Sequence, residues 1–342
     1  MDQPTKPSSR RATPDRRAVA LGMAILYTVW GSTYLAIAVA VETLPPFLMA
    51  AARFGLAGLL LLTWVALRDR AALRWPTRRE LRDSTIVGGL LLGGGMGGVA
   101  WGEQTIPSGI AALLIGMMPV WVAIFGLTFY GERLPRIAVV GIVVGFVGVG
   151  ILVGPTAFGE TGALDAAGLL AILISPIAWS LGSLFATHRA DLPRHPLVAT
   201  GFQMLTGAVV LAIMSLIASE PGGFHATAVS VPSFLAFLYL TIIGSVVAFT
   251  TYGWMIRVAP LPLVTTYAYV NPVVAVILGA IVLHEPIEPR TILAGGVIVL
   301  AVALIVTARG RMVRPADASG VTTPPAPTAR PASPAPSRSA SG

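Results

Sequence analysis

The sequence contains no cysteine, and only 11% of its 342 residues are charged, with 15 acidic side chains and 4 histidines. Each shortage excludes something. Without cysteine there is no disulfide scaffold and no thiolate metal site. A soluble domain carries about a quarter charged residues. This chain has too few to cover a surface facing water, which argues against a soluble enzyme, a nucleic-acid-binding domain and a disordered chain. What is present is apolar: 55% hydrophobic residues and a mean hydropathy of +0.80. The expected fold class is an all-α polytopic membrane protein, with the lipid bilayer as its solvent.

A bilayer-crossing helix needs roughly 20 mostly apolar residues. Ten stretches qualify, near 18–39, 47–67, 84–102, 108–130, 136–153, 166–187, 197–218, 233–254, 262–283 and 291–308. The first is too long and plain for a cleaved leader and lacks a small-residue cleavage site, so it is expected to be retained. Residues 1–17 form a basic tail. Residues 309–342 form a Pro/Ala/Ser-rich tail whose composition cannot build a core, so it is expected to be disordered.

Orientation follows from Lys and Arg. Of the 23, all but Arg53 and Arg290 precede span 1 or follow spans 2, 4, 6, 8 and 10. Basic residues thus mark every second connection. The positive-inside rule then predicts an even number of spans in the cell membrane, with both termini cytoplasmic.

The two halves resemble each other. Trp101, Pro119, Gly126 and Glu132 recur as Trp254, Pro272, Gly279 and Glu285 at one constant spacing. Trp30 pairs with Trp179, and Arg53 with Gln203, at nearly that spacing. The repeats cover 18–153 and 166–308. Each holds five spans, an odd number, so the second enters from the opposite side. Inverted halves can exchange conformations around a site near the midplane, as alternating-access carriers do. Channels can share this symmetry, and a passive pore remains the alternative.

Two runs carry a more specific signal. WGEQTIPSGIAA, from Trp101 to Ala112, leads into a helix that ends at Gly131-Glu132. TYAYVNPVVAV, from Thr266 to Val276, leads to His284-Glu285-Pro286. Together they resemble the EamA-type carriers of the drug/metabolite transporter superfamily, and most closely the inner-membrane drug/metabolite and amino-acid exporters. The resemblance covers both halves. It implies ten helices, a central cavity and export of a small metabolite, without fixing which one.

Pro119 and Pro272 fall within spans 4 and 9, where proline kinks a helix and frees carbonyls. Matched kinks are expected either to shape the cavity as hinges or to serve packing. Arg53 and Glu103 are the charges most clearly within reach of hydrocarbon, where a charge usually faces a cavity or a partner. Glu103, beside Gln104, reads as a proton-coupling or cation-binding carboxylate, or as an interfacial acid in water. Glu132 and Glu285 end matched helices and read as structural carboxylates accepting amides at the starts of spans 5 and 10, or as a gating pair. Trp30, Tyr34, Trp179, Tyr252 and Tyr267 are aromatic candidates for the cavity wall. Gln203 and Asn271 are polar groups at depth, able to bond a solute or to hold helices together.

Other motifs fall away. GGGMGG, Gly93 to Gly98, matches the dinucleotide pattern only formally. No strand precedes it, and small residues within a span allow close helix approach; Gly141, Gly145 and Gly148 read the same way. His284-Glu285 lacks the second histidine of a zincin, since Glu288 stands there. No metal, cofactor or intramembrane enzyme chemistry is expected. The expected partner is a small molecule, an amino acid or a relative. Aromatics would cover its body, while Gln203, Asn271 and Arg53 or Glu103 would meet its polar ends. Proton coupling stays open. A polyanion would need several Arg or Lys.

Overall fold

The computed structural model describes residues 16–157, 164–259, 261–264 and 266–312. The segment before Arg16 and the Pro-rich tail beyond Met312 lie outside the described residues. Every regular element among those described is helical. Ten helical spans follow one another: α1 (Arg16–Val41), α2 (Pro46–Arg68), α3 (Arg78–Gly102), α4 (Ser108–Tyr130), α5 (Arg136–Ala157), α6 (Ala166–His188), α7 (Pro196–Ile217), α8 (Val231–Tyr252, continuing in Ala248–Val258), α9 (Tyr267–Val282) and α10 (Pro289–Met312). Nine of the described helices are long and apolar enough to cross a bilayer; α9 is the shorter one.

Several boundaries depart from the hydropathy reading for local reasons. Helix α3 starts well before the expected position 84. The Thr77 hydroxyl accepts from the Glu80 amide at 3.2 Å, and the Glu80 carboxylate accepts from the Thr77 amide at 2.8 Å. This capping box starts a helix through a charged stretch that hydropathy cannot see. Helix α9 is shortened because its approach is a separate turn, Leu261–Val264.

The repeat extends to helix endings. Gly131 after α4 and His284 after α9 both adopt left-handed backbone, at φ 65° and 55°. The next amides, of Glu132 and Glu285, reach back to the carbonyls of Gly126 and Gly279 at 3.0 and 3.2 Å. The two ends are the same helix stop, closed by a bond across six residues. The prolines are less alike. Pro119 follows a break, since Ser108–Ile115 stops and the helix restarts at Met118, whereas Pro272 lies inside a continuous helix. Gly116, a poor helix former, stands where the second half has Tyr269, which accounts for the difference.

Matched π-helical stretches, Gly89–Gly97 in α3 and Leu240–Val247 in α8, also sit at equivalent places. Such turns are frequent at functional sites.

Within lipid, helices gain little from burying apolar surface against one another, so close packing and hydrogen bonds hold the bundle. A Cβ on Gly88 of α3 would lie 2.3 Å from the Gln203 carbonyl of α7, and one on Gly141 of α5 would lie 3.0 Å from the Ala301 carbonyl of α10. Gly148 meets Ile298, nearer the start of α10, so α5 and α10 run antiparallel. So do α2 and α7: Gly55 faces Ala208, while Gly58 faces Gly201 and Met204. At one end of this pair Glu220, just past α7, accepts from the Phe47 and Leu48 amides at 3.1 and 2.8 Å. Helices α2 and α7 hold the same place in their repeats. Their opposed directions make the halves an inverted pair.

Candidate functional site

A central cavity of about 110 Å3 lies where the halves meet. Its wall repeats the pseudo-twofold. Trp30 and Trp179, Ile115 and Ala268, Met118 and Asn271, and Pro119 and Pro272 are equivalent pairs, and all eight line it. A cavity on the symmetry axis is one that either half can cover or uncover.

One side of the wall is aromatic. Trp30 is surrounded by Tyr267, Tyr252 and Phe249, with ring centroids 4.8, 5.3 and 5.7 Å away. Tyr252 supports this cluster from behind without lining the cavity. Ser245, Phe249 and Tyr252 recur at helical spacing on α8. That periodicity was the available signal for Ser245 and Phe249, which sequence reasoning missed. Pro176 of α6 and Met96 of α3 were also missed; they reach the cavity only through tertiary packing.

Among the described residues the cavity carries one charged lining residue, Arg53, which is 3% exposed. Its Nε donates to the Ser245 hydroxyl at 3.0 Å. That hydroxyl donates to the Leu240 carbonyl, also at 3.0 Å, in the π-helical stretch of α8. The guanidinium lies 4.7 Å from the Phe54 ring centroid, and Nη2 lies close to Gly244. Among the described residues no carboxylate comes within 4.0 Å of it. The arginine is therefore pinned by its Nε and presents its Nη edge without an acid. Asn271 is 7% exposed, and its Oδ1 has no hydrogen-bond partner among the described residues. A buried cation and an unmet amide acceptor beside aromatic rings suit a small solute with an anionic end, a donor and an apolar body.

Six of the ten cavity candidates thus come together: Trp30, Tyr34, Arg53, Trp179, Tyr267 and Asn271. Gln203 does not line the cavity; its backbone lies against Gly88 in the α3–α7 contact. The halves are not superimposable here, because only Arg53 of the pair Arg53/Gln203 faces inward. Glu103 and Gln104 line a second pocket of about 290 Å3, beyond the cavity at the end of α1 and α3 away from the arginine-rich connections.

Glu285 lies in that second pocket, but its carboxylate is engaged. Its oxygens accept from the Ser108 and Gly109 amides at 2.7 and 3.1 Å. It therefore caps the start of span 4 rather than that of span 10, because α9 packs antiparallel to the first half of α4. Glu132 lies 3.3 Å from His188 Nε2, and the His188 ring stacks on Tyr130 at 4.2 Å. Among the described residues no cluster of three His, Cys, Asp or Glu could hold a metal ion.

The profile described as "EamA-like transporter family" matches residues 18–154 and again 166–307. The chain is 40% identical over 282 residues to the "Uncharacterized inner membrane transporter YedA" of Escherichia coli (strain K12), covering 82% of this chain and 88% of that protein. It is 25% identical over 317 residues to the "Probable amino-acid metabolite efflux pump" of Salmonella typhimurium, covering 86% of this chain and 97% of the relative. A solved structure with 21% identity aligns at a TM-score of 0.58, over 87% of this chain and 100% of its own.

Proposed function

The chain belongs to the EamA-like transporter family, and on that premise we propose that it is a secondary carrier exporting a small, carboxylate-bearing amphiphile of the amino-acid class across the inner membrane. The observation that carries this reading is Arg53, the single charged residue among the described ones that line a largely apolar cavity. One buried guanidinium suits one carboxylate. It would leave a polyanion largely unneutralised. The aromatic cluster around Trp30 would cover the apolar body, and Asn271 would accept a hydrogen bond from an ammonium or amide. The Salmonella relative, named for amino-acid metabolite efflux, supports the substrate class and the direction of flux.

Transport proceeds by rocking of the two inverted halves, which alternately open the cavity to each side. The arginine-rich connections support placing both termini in the cytoplasm, so Glu103 and Glu285 face outward. The test is counterflow in proteoliposomes loaded in turn with members of an amino-acid and dipeptide panel. A carrier saturates and is accelerated by solute on the far side. Linear flux without trans-acceleration would make the protein a pore.

A further inference from the structure

Glu103 is used by nothing described so far, and its surroundings are unusual. It is 6% exposed, and neither carboxylate oxygen makes a hydrogen bond of normal geometry among the described residues, the backbone of Ala38 on α1 being the donor beside it. It nonetheless lines the outer pocket. Its amide bonds to the Val99 carbonyl at 2.9 Å, one helical turn back, and Val99 lines the central cavity. On α1 the same step separates Tyr34 of the cavity from Ala38 of the outer pocket. Glu103 therefore sits one turn, about 6 Å, beyond the cavity.

A buried carboxylate with so little donor support is costly in its charged form. Here it also ends a helix, where the backbone dipole opposes negative charge. The groups facing it from the neighbouring elements are Tyr34 on α1, Arg53 on α2 and Glu285 after α9; Glu42, just past α1, lines the same pocket, and Asp165 stands at the start of α6 nearby, against Thr105. Asp165 accepts from the Gly168 amide at 2.7 Å and the Thr105 hydroxyl at 3.2 Å, and Glu285 is held by two amides. Arg53 is the only one of these that favours a charged Glu103.

We propose that Glu103 is a proton-exchange site that opens to the outer pocket and is governed by the occupancy of Arg53. With Arg53 unpaired, its charge supports the Glu103 carboxylate. When a solute carboxylate takes the Nη edge of Arg53, that support is cancelled. A proton from pocket water then moves to a Glu103 oxygen, leaving a neutral carboxylic acid. Linkage makes the effect mutual: a protonated Glu103 strengthens anion binding at Arg53. The coupling rests on the carrier reading above, but the proton site can be tested without any solute.

The experiment is infrared difference spectroscopy of the full chain in lipid nanodiscs, perfused with buffers of stepped pH in water and deuterium oxide. The probe is the proton itself. The wild type should show a carboxylic-acid carbonyl band that titrates and shifts on deuteration. The band should vanish in Glu103→Gln and persist in Glu285→Gln. In Arg53→Gln, which imitates a neutralised arginine, the band should appear at about tenfold lower proton concentration, one unit higher in pH. If Glu103→Gln fails to fold, Glu103→Asp should retain a band with displaced titration. The proposal falls if the wild type shows no such band or the band survives in Glu103→Gln. It also falls if Glu103→Asp leaves the band unchanged or Arg53→Gln leaves its midpoint unmoved. Counterflow, measured separately, distinguishes failure of this site from failure of the carrier reading.

Discussion

Replacing Arg53 by glutamine tests the link between cavity and substrate class. The guanidinium has five N–H donors, and one is spent on Ser245. The remaining Nη edge can hold a carboxylate in parallel hydrogen bonds. Hydrogen bonds to a charged group are worth about 1.5–3 kcal/mol net. At about 1.4 kcal/mol per decade, their loss should weaken solute binding about 10–150-fold. Glutamine keeps an amide donor for Ser245, so the α2–α8 contact should survive. The assay compares counterflow of a carboxylate-bearing solute with that of its amide, in wild type and in Arg53→Gln. The carboxylate should lose apparent affinity by the stated factor, while the amide changes little. Arg53→Lys should fall between, because it keeps the charge and loses the fork. Equal losses for both solutes would refute the reasoning and return Arg53 to a packing role.

Trp30→Ala should raise the KM for export at unchanged surface expression, while Gln203→Ala should leave it unaltered; the opposite ranking in transport kinetics would misplace the cavity. Gly88→Ala puts a methyl 2.3 Å from the Gln203 carbonyl and 2.9 Å from the Gly207 amide. Both contacts are backbone, so α3 and α7 must part at about 1–3 kcal/mol, which a lowered thermal unfolding midpoint would register and an unchanged one would deny. His284→Gly should relieve the left-handed strain at φ 55° and stabilise by about 1 kcal/mol, read as a raised midpoint.

The number of spans, the repeat and its inversion were legible because hydropathy, arginine placement and the spaced Trp, Pro, Gly and Glu residues are one-dimensional signals. The glycine runs also read correctly as contact surfaces, since close approach is the main use of glycine within a span. Pairing across the bundle was not legible. Glu285 reads as a helix-capping carboxylate from its place after α9, but which helix it caps depends on α9 lying along α4. Gln203 and Arg53 are equivalent in sequence, yet a single conformation of an inverted pair treats equivalent residues differently, and only Arg53 points inward. The start of α3 was missed because a capping box through charged residues is invisible to a scale that reads only apolarity.

The central claim is that one cavity is reached from the two sides in turn. Because the chain has no cysteine, Met96→Cys on the cavity wall gives a unique reporter for a membrane-impermeant thiol reagent. The Ser230 amide donates to the Thr43 hydroxyl at 3.1 Å, joining the two halves at the end of the bundle away from the arginine-rich connections. A disulfide between Thr43→Cys and Ser230→Cys would fasten them there. In sealed vesicles the reagent should reach position 96 from both faces in the Met96→Cys single variant and from one face only in the oxidised triple variant, with transport stopped. Undiminished labelling from both faces in the fastened protein, with flux continuing, would contradict alternating access and leave an open pore in its place.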